Sequence, residues 1–166
     1  MKTTNLFSIC IAISLLGVSC KDQVRHESRI LFKNSSSIAC KISLFPKAAY
    51  QDGKMYRDSD VGAGFNYTTF DISPNSFAYI FYSGNPDYQP NILISQIFDS
   101  IQLRPVNQDQ PTMIFSPTKA IGYPLNIFRD SSAWKYEFKT DNIFDSFSKT
   151  IVQANEYTFD FLIQTY

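Results

Sequence analysis

"WKYEFKT", residues 134–140, alternates Trp134, Tyr136 and Phe138 with Lys135, Glu137 and Lys139. Successive side chains on an extended strand point to opposite faces, so this run has an aromatic face and a charged one. That period predicts a half-buried antiparallel strand. Two other runs repeat it. "SIACKISLF" (37–45) sets Ile38, Cys40, Ile42 and Leu44 on one face, and "YTFDFLIQTY" (157–166) does the same with Tyr157, Phe159, Phe161 and Ile163. In that register Cys40 is expected as a small buried hydrophobe and not as a reactive thiol.

Working outward, "RILFK" (29–33) and "IACKISLF" (38–45) flank "NSSS", whose side chains favour a turn, and read as a first hairpin over 29–45. "FNYTTFDI" (65–72), "SPNS" and "FAYIFYS" (77–83) read as a second. The arm 77–83 is apolar on both faces, which predicts a central position in its layer. "SIQLR", "TMIFS" and "LNIF" read as short extended pieces, and "ILISQIF" (92–98) fits a helical turn or a strand. "KTIVQA" and "YTFDFLIQTY" read as separate strands joined by "NE". The 15 Phe and 10 Tyr favour pleated surfaces, and no long segment has a 3.6-residue period. The expected fold is all-β: an immunoglobulin-like antiparallel sandwich of about seven to nine strands, with a closed barrel as the alternative.

The N-terminus has a different character. After Lys2, Leu6 to Val18 is apolar apart from Ser8 and Ser14, and it stops short of the ~20 residues a spanning helix needs. It reads as the helix of an export signal. In "LLGVSCKDQ" (15–23) the short residues Gly17, Val18 and Ser19 suit a signal peptidase. Here the chain resembles a bacterial lipoprotein lipobox, with Gly17 where an aliphatic residue is usual. The resemblance implies that Cys20 takes a diacylglycerol and becomes the first residue of the mature chain, anchored by long acyl chains such as palmitate. An ordinary secretory signal, with Cys20 a bystander, is the other reading. The expected organisation is a signal peptide over 1–19, a lipidated cysteine and polar tether over 20–28, and one sandwich domain over 29–166. Cys10 would leave with the signal, so only Cys40 remains in the domain and no internal disulfide can form.

Removing Lys2 with the signal lowers the 15 basic residues to 14 against 15 acidic ones, a balance that implies no nucleic-acid partner. The lone histidine, His26, falls in the expected tether, and no HExxH, CxxC, P-loop or GxGxxG occurs. No cofactor, metal site or catalytic residue is expected. Paired carboxylates are the remaining route to chemistry, because glycoside hydrolysis needs two flanking a cleft. The candidates are Asp58, Asp60, Asp130, Glu137, Asp141 and Asp145. "DSD" at 58–60, near Asp52, lacks the glycine and bidentate Glu of a calcium loop and reads as a polar turn. Tyr50, Tyr56, Tyr88 and Tyr123 fall in expected loops, where rings either stack on sugars or partners or fold back as lids.

"FDSIQL" (98–103), "YPLNIF" (123–128) and "YTFDFLI" (157–163) are similar to stretches in small surface or outer-membrane lipoproteins of Bacteroidota. That resemblance implies an outer-membrane location, facing the periplasm or the exterior, and O-glycosylation of Ser100 within Asp99-Ser100-Ile101. The leading expectation is a non-enzymatic, lipid-anchored domain acting through binding or assembly, its candidate partners being a glycan or a protein. A glycan-binding accessory of nutrient uptake and a carboxylate-dependent glycoside hydrolase are the alternatives.

Overall fold

The computed structural model describes residues 23–48, 69–83, 89–144 and 149–164. They form strands β1 (Gln23–Asn34), β2 (Cys40–Pro46), β3 (Thr69–Ile72), β4 (Ser76–Ser83), β5 (Phe98–Pro105), β6 (Met113–Ser116), β7 (Lys119–Ile121), β8 (Lys135–Phe144) and β9 (Lys149–Phe161). One helix, α1 (Pro90–Ile97), precedes β5. The strands make two sheets, ordered β4-β1-β9-β8 and β3-β2-β5-β6-β7. Neighbours pair antiparallel, except that β1 and β9 run parallel, Phe32 opposite Phe159. The fold is the expected all-β sandwich and not a closed barrel.

The expected alternations build the core. Cys40, Ile42 and Leu44 share the core with Ile30, Phe32, Phe159 and Phe161 from the facing sheet and with Ile163 just beyond β9, and Ile38 packs alongside. Phe159 lies at the centre, its ring against Phe32 (5.3 Å), Phe115 (5.5 Å), Tyr123 (5.0 Å) and Trp134 (5.9 Å). Cys40 is fully buried, its Sγ 3.6 Å from the Ile38 carbonyl, and burial pushes its thiol pKa up. Cys40→Ser is therefore expected to cost about 1–3 kcal/mol, the range for an under-satisfied buried hydroxyl. A melting curve superimposable on wild type would refute it.

Several local expectations change once the pairing is known. The two hairpins do not form: β1 and β2 lie in different sheets, as do β3 and β4. The first reversal is a crossover, and Asn34 explains it. Fully buried, its side-chain amide donates to the carbonyls of Ile38, Ile72 and Ser73, and its Oδ1 accepts from the Ser36 backbone N–H. Ser36 Oγ in turn accepts from the Ile163 N–H at 2.7 Å. "NSSS" thus ties the ends of both sheets together, satisfying buried backbone groups that a free turn would leave to water.

Among the described residues β4 pairs with β1 alone, which makes it an edge strand and not a central one. "ILISQIF" is resolved as helix through Ile97: Pro90 sits in the first turn, where its fixed φ and missing N–H cost nothing, and Leu93, Ile94 and Ile97 are buried. "LNIF" is a turn, not a strand; the Asn126 carbonyl accepts from the N–H groups of Arg129 and Asp130. Gly122 supplies a φ of 74°, and a Cβ there would fall 2.1 Å from the Thr112 carbonyl oxygen. "KTIVQANEYTFDF" is one 13-residue strand, so "NE" is strand and not turn.

The expected tether over 20–28 is also corrected, because β1 already begins at Gln23. At ~3.3 Å per residue, β1 and β9 extend roughly 40 Å while the strands of the facing sheet reach about 26 Å at most. One end of the four-stranded sheet therefore overhangs. The largest departure from expectation is on the edge strand β8: of the aromatic face of "WKYEFKT" only Trp134 is buried, while Tyr136 and Phe138 are 59% and 54% exposed.

Candidate binding site

The outer face of the four-stranded sheet, turned away from the core, carries an unusual set of side chains. On β9 the core takes Tyr157, Phe159 and Phe161, so Val152, Ala154, Glu156, Thr158 and Asp160 point outward. Yet Val152, Ala154 and Glu156 are buried, as is Leu31 on β1. The register gives the reason. Ala154 is flanked by Glu27 and Lys139, Val152 by Arg25 and Asp141, and Glu156 by Arg29 and Glu137. Each buried residue of β9 thus has a charged side chain on either side of it.

Three charge clusters cross the face. Glu27, 5% exposed, accepts from Arg29 at 2.5 Å and pairs with Arg25 at 3.0 Å. Arg29 reaches across β9 to Asp141 on β8 at 2.6 Å. Burial works against the Arg29 charge, and hydrogen bonds and attraction from Glu27 and Asp141 outweigh it, so its pKa is raised. In the second cluster Lys139 lies between Glu156 and Glu137, bonded to the Glu156 carboxylate and 3.7 Å from Glu137, and the Glu156 bond raises its pKa. In the third, Asp160 accepts from Ser35 (2.5 Å), Lys135 (3.1 Å) and Lys33 (3.3 Å). Burial disfavours the Asp160 charge, but those donors prevail and hold its pKa below the ordinary carboxylate value.

The Asp160 shift has a definite sign in stability. A depressed pKa contributes stability above the unfolded value of about 3.9, lost as pH falls through the lower folded value. Asp160→Asn is expected to flatten the loss of stability on acidification below about pH 4. Chemical denaturation at a series of pH values measures it, and parallel wild-type and variant profiles there would contradict it.

Between the clusters the face is recessed. One hollow of about 450 Å³ is lined by Leu31, Lys33, Phe77, Lys139, Glu156 and Asp160, among others. A second, about 350 Å³, is lined by Arg25, Glu27, Arg29 and Tyr79. Phe77 and Tyr79 on β4, opposite Lys33 and Leu31, stand edge to face 5.6 Å apart and are each about half exposed. The aromatic pair thus contributes one ring to each hollow. Glu156 Oε2 is buried at the first hollow with no hydrogen-bond partner.

Of the residues the sequence singled out, Cys20, Tyr50, Tyr56, Tyr88, Asp52, Asp58, Asp60 and Asp145 lie outside the described residues. Tyr123 is half-buried, packs on Phe115 and Phe159, and donates to the Asp160 carbonyl at 3.2 Å. It folds back onto the core, as a lid does. Ser100 is the third residue of β5, half-buried and opposite Phe45. Exposed His26 lies on β1. Asp130 accepts from the Asn126 backbone N–H at 2.6 Å, closing a turn. Glu137 and Asp141 share a face of β8 four residues apart, about 13 Å along a strand, beyond the ~5–9.5 Å of glycosidase pairs. Glu137 does stand opposite Glu156, but Lys139 occupies the space between those carboxylates where a scissile bond would need to lie.

The sequence reading missed Glu27, Arg29, Glu156, Phe77 and Tyr79 as a surface. Extending the even-numbered alternation of β9 back through Glu156 to Val152 was the available signal. Among the described residues no group of three or more His, Cys, Asp or Glu side chains could hold a metal ion. No known family profile matches the chain, and no curated protein is similar to it.

Proposed function

We propose that the chain is a non-enzymatic binding domain, held at the outer membrane by a lipid on Cys20, that recognises a glycan on the outer face of its four-stranded sheet. The observation that supports this most is the Phe77–Tyr79 pair standing over two hollows of about 450 and 350 Å³ lined by ion-paired side chains. Exposed rings offer apolar faces to the C–H faces of sugars, and ordered charged groups beside them donate and accept hydrogen bonds from hydroxyls. Together the three clusters set five basic side chains against five acidic ones, so the face as a whole is close to neutral, which suits a neutral ligand better than a polyanion.

A glycan-array screen of the chain from Cys20 onward tests the reading. Binding to a defined set of glycans, absent from a Phe77→Ala/Tyr79→Ala variant that melts at the wild-type temperature, is the expected result. An empty array, or the same hits from both proteins, would overturn it.

A further inference from the structure

β8 is the edge of its sheet: among the described residues it pairs with β9 alone, leaving a ten-residue strand with one unpaired side. Edges of this length are commonly blunted, because they template pairing with another chain. This one carries lysines, a common blunting device, but sets Lys135 and Lys139 in alternation with Glu137 and Asp141 on its outer face, around an exposed Phe138. Only some pairings of such a strand with a copy of itself satisfy those charges.

We propose that β8 pairs antiparallel with β8 of a second copy about a twofold axis at Phe138, joining two four-stranded sheets into one of eight strands. The register follows from charge and parity. Outer-face residues must oppose outer-face residues, so the axis passes through a residue and not between two. With the axis at Phe138, Lys135 faces Asp141 and Glu137 faces Lys139, each twice by symmetry. Moving the axis one residue to Glu137 sets Lys135 against Lys139 and Glu137 against itself. Moving it to Lys139 sets Glu137 against Asp141 and Lys139 against itself. Cross-strand charges stabilise when opposite and destabilise when alike, so the central register is selected against both neighbours.

The same register stacks Phe138 on Phe138 and sets Tyr136 beside Thr140, bringing together the exposed rings of the two copies. It also lengthens the existing clusters. Lys135 of the Asp160 cluster would meet Asp141 of the partner's Arg29 cluster, and Glu137, whose nearest cation is Lys139 at 3.7 Å, would gain a second.

Cysteine cross-linking in the full chain tests the axis directly. Residues opposite one another on antiparallel strands have Cα atoms about 4.5–5.5 Å apart, within the ~4.4–6.8 Å a disulfide spans. Phe138→Cys should give a disulfide-linked dimer after mild oxidation. Phe77→Cys, equally exposed on the opposite edge strand, should not. Lys135→Glu should lower the Phe138→Cys cross-link roughly tenfold by turning two attractive contacts into repulsive ones, as should Asp141→Lys, and the double swap should restore it. Equal cross-linking at 77 and 138, no recovery in the double swap, or a cross-link at 138 to a different protein would each overturn the proposal.

Discussion

Cys20→Ala is expected to move the chain from the membrane fraction to the soluble fraction. At ~0.8 kcal/mol per buried CH₂, one acyl chain binds reversibly, whereas two or three hold a protein at the bilayer for its lifetime. Alanine cannot take a thioether-linked diacylglycerol, so every chain of the anchor is lost together. Among the described residues no helix is long and apolar enough to cross a membrane. With β1 starting at Gln23, only Lys21 and Asp22 separate Cys20 from the sheet, a span of roughly 10 Å. On this reading the domain stands close against the lipid surface, without the eight-residue tether that the polar run 21–28 suggested. Fractionation with a carbonate wash reads the outcome, and unchanged partitioning of the variant would refute the anchor.

Phe159→Ala is expected to be the most damaging substitution in the described core, costing about 3–5 kcal/mol and lowering Tm by on the order of 10 °C. Phe159 is fully buried on β9 and touches the rings of Phe32 in its own sheet, Phe115 in the facing sheet, and Tyr123 and Trp134 from the connections. Its loss would open a cavity that β9 cannot collapse into, because β9 is pinned on both sides by β1 and β8. Tyr123 would also lose ring contact while still bonded to the Asp160 carbonyl. Phe45→Ala, on an exposed ring of the other sheet, is the comparison and should cost little. Equal denaturation midpoints for the two variants would contradict this description of the core.

What could be read from the sequence was local. Alternation alone identified Cys40, Ile42 and Leu44, and Phe159, Phe161 and Ile163, as core faces, because period 2 is a property of one strand. Partnership is a property of two, and there the reading broke down. "NSSS" has the composition of a hairpin turn, but the Asn34 hydrogen bonds that make it a crossover reach Ile72 and Ser73, about forty residues away. "WKYEFKT" has the period of a half-buried strand, yet burial depends on where the strand lies in its sheet, and on the edge strand β8 Tyr136 and Phe138 stay more than half exposed. The binding face was hidden by the same limit. Its charges come from β1, β8 and β9, residues 112 apart in the case of Arg29 and Asp141, and each reads in isolation as solvated surface.

The most direct test of the binding face is an isotherm. Glycans selected on the array are titrated into the wild-type chain from Cys20 onward and into the Phe77→Ala/Tyr79→Ala variant. Loss of two stacking rings is expected to weaken Kd by roughly tenfold or more, at about 0.5–1.5 kcal/mol per ring, with Tm unchanged. The same Kd for both proteins would place the site elsewhere and contradict the account.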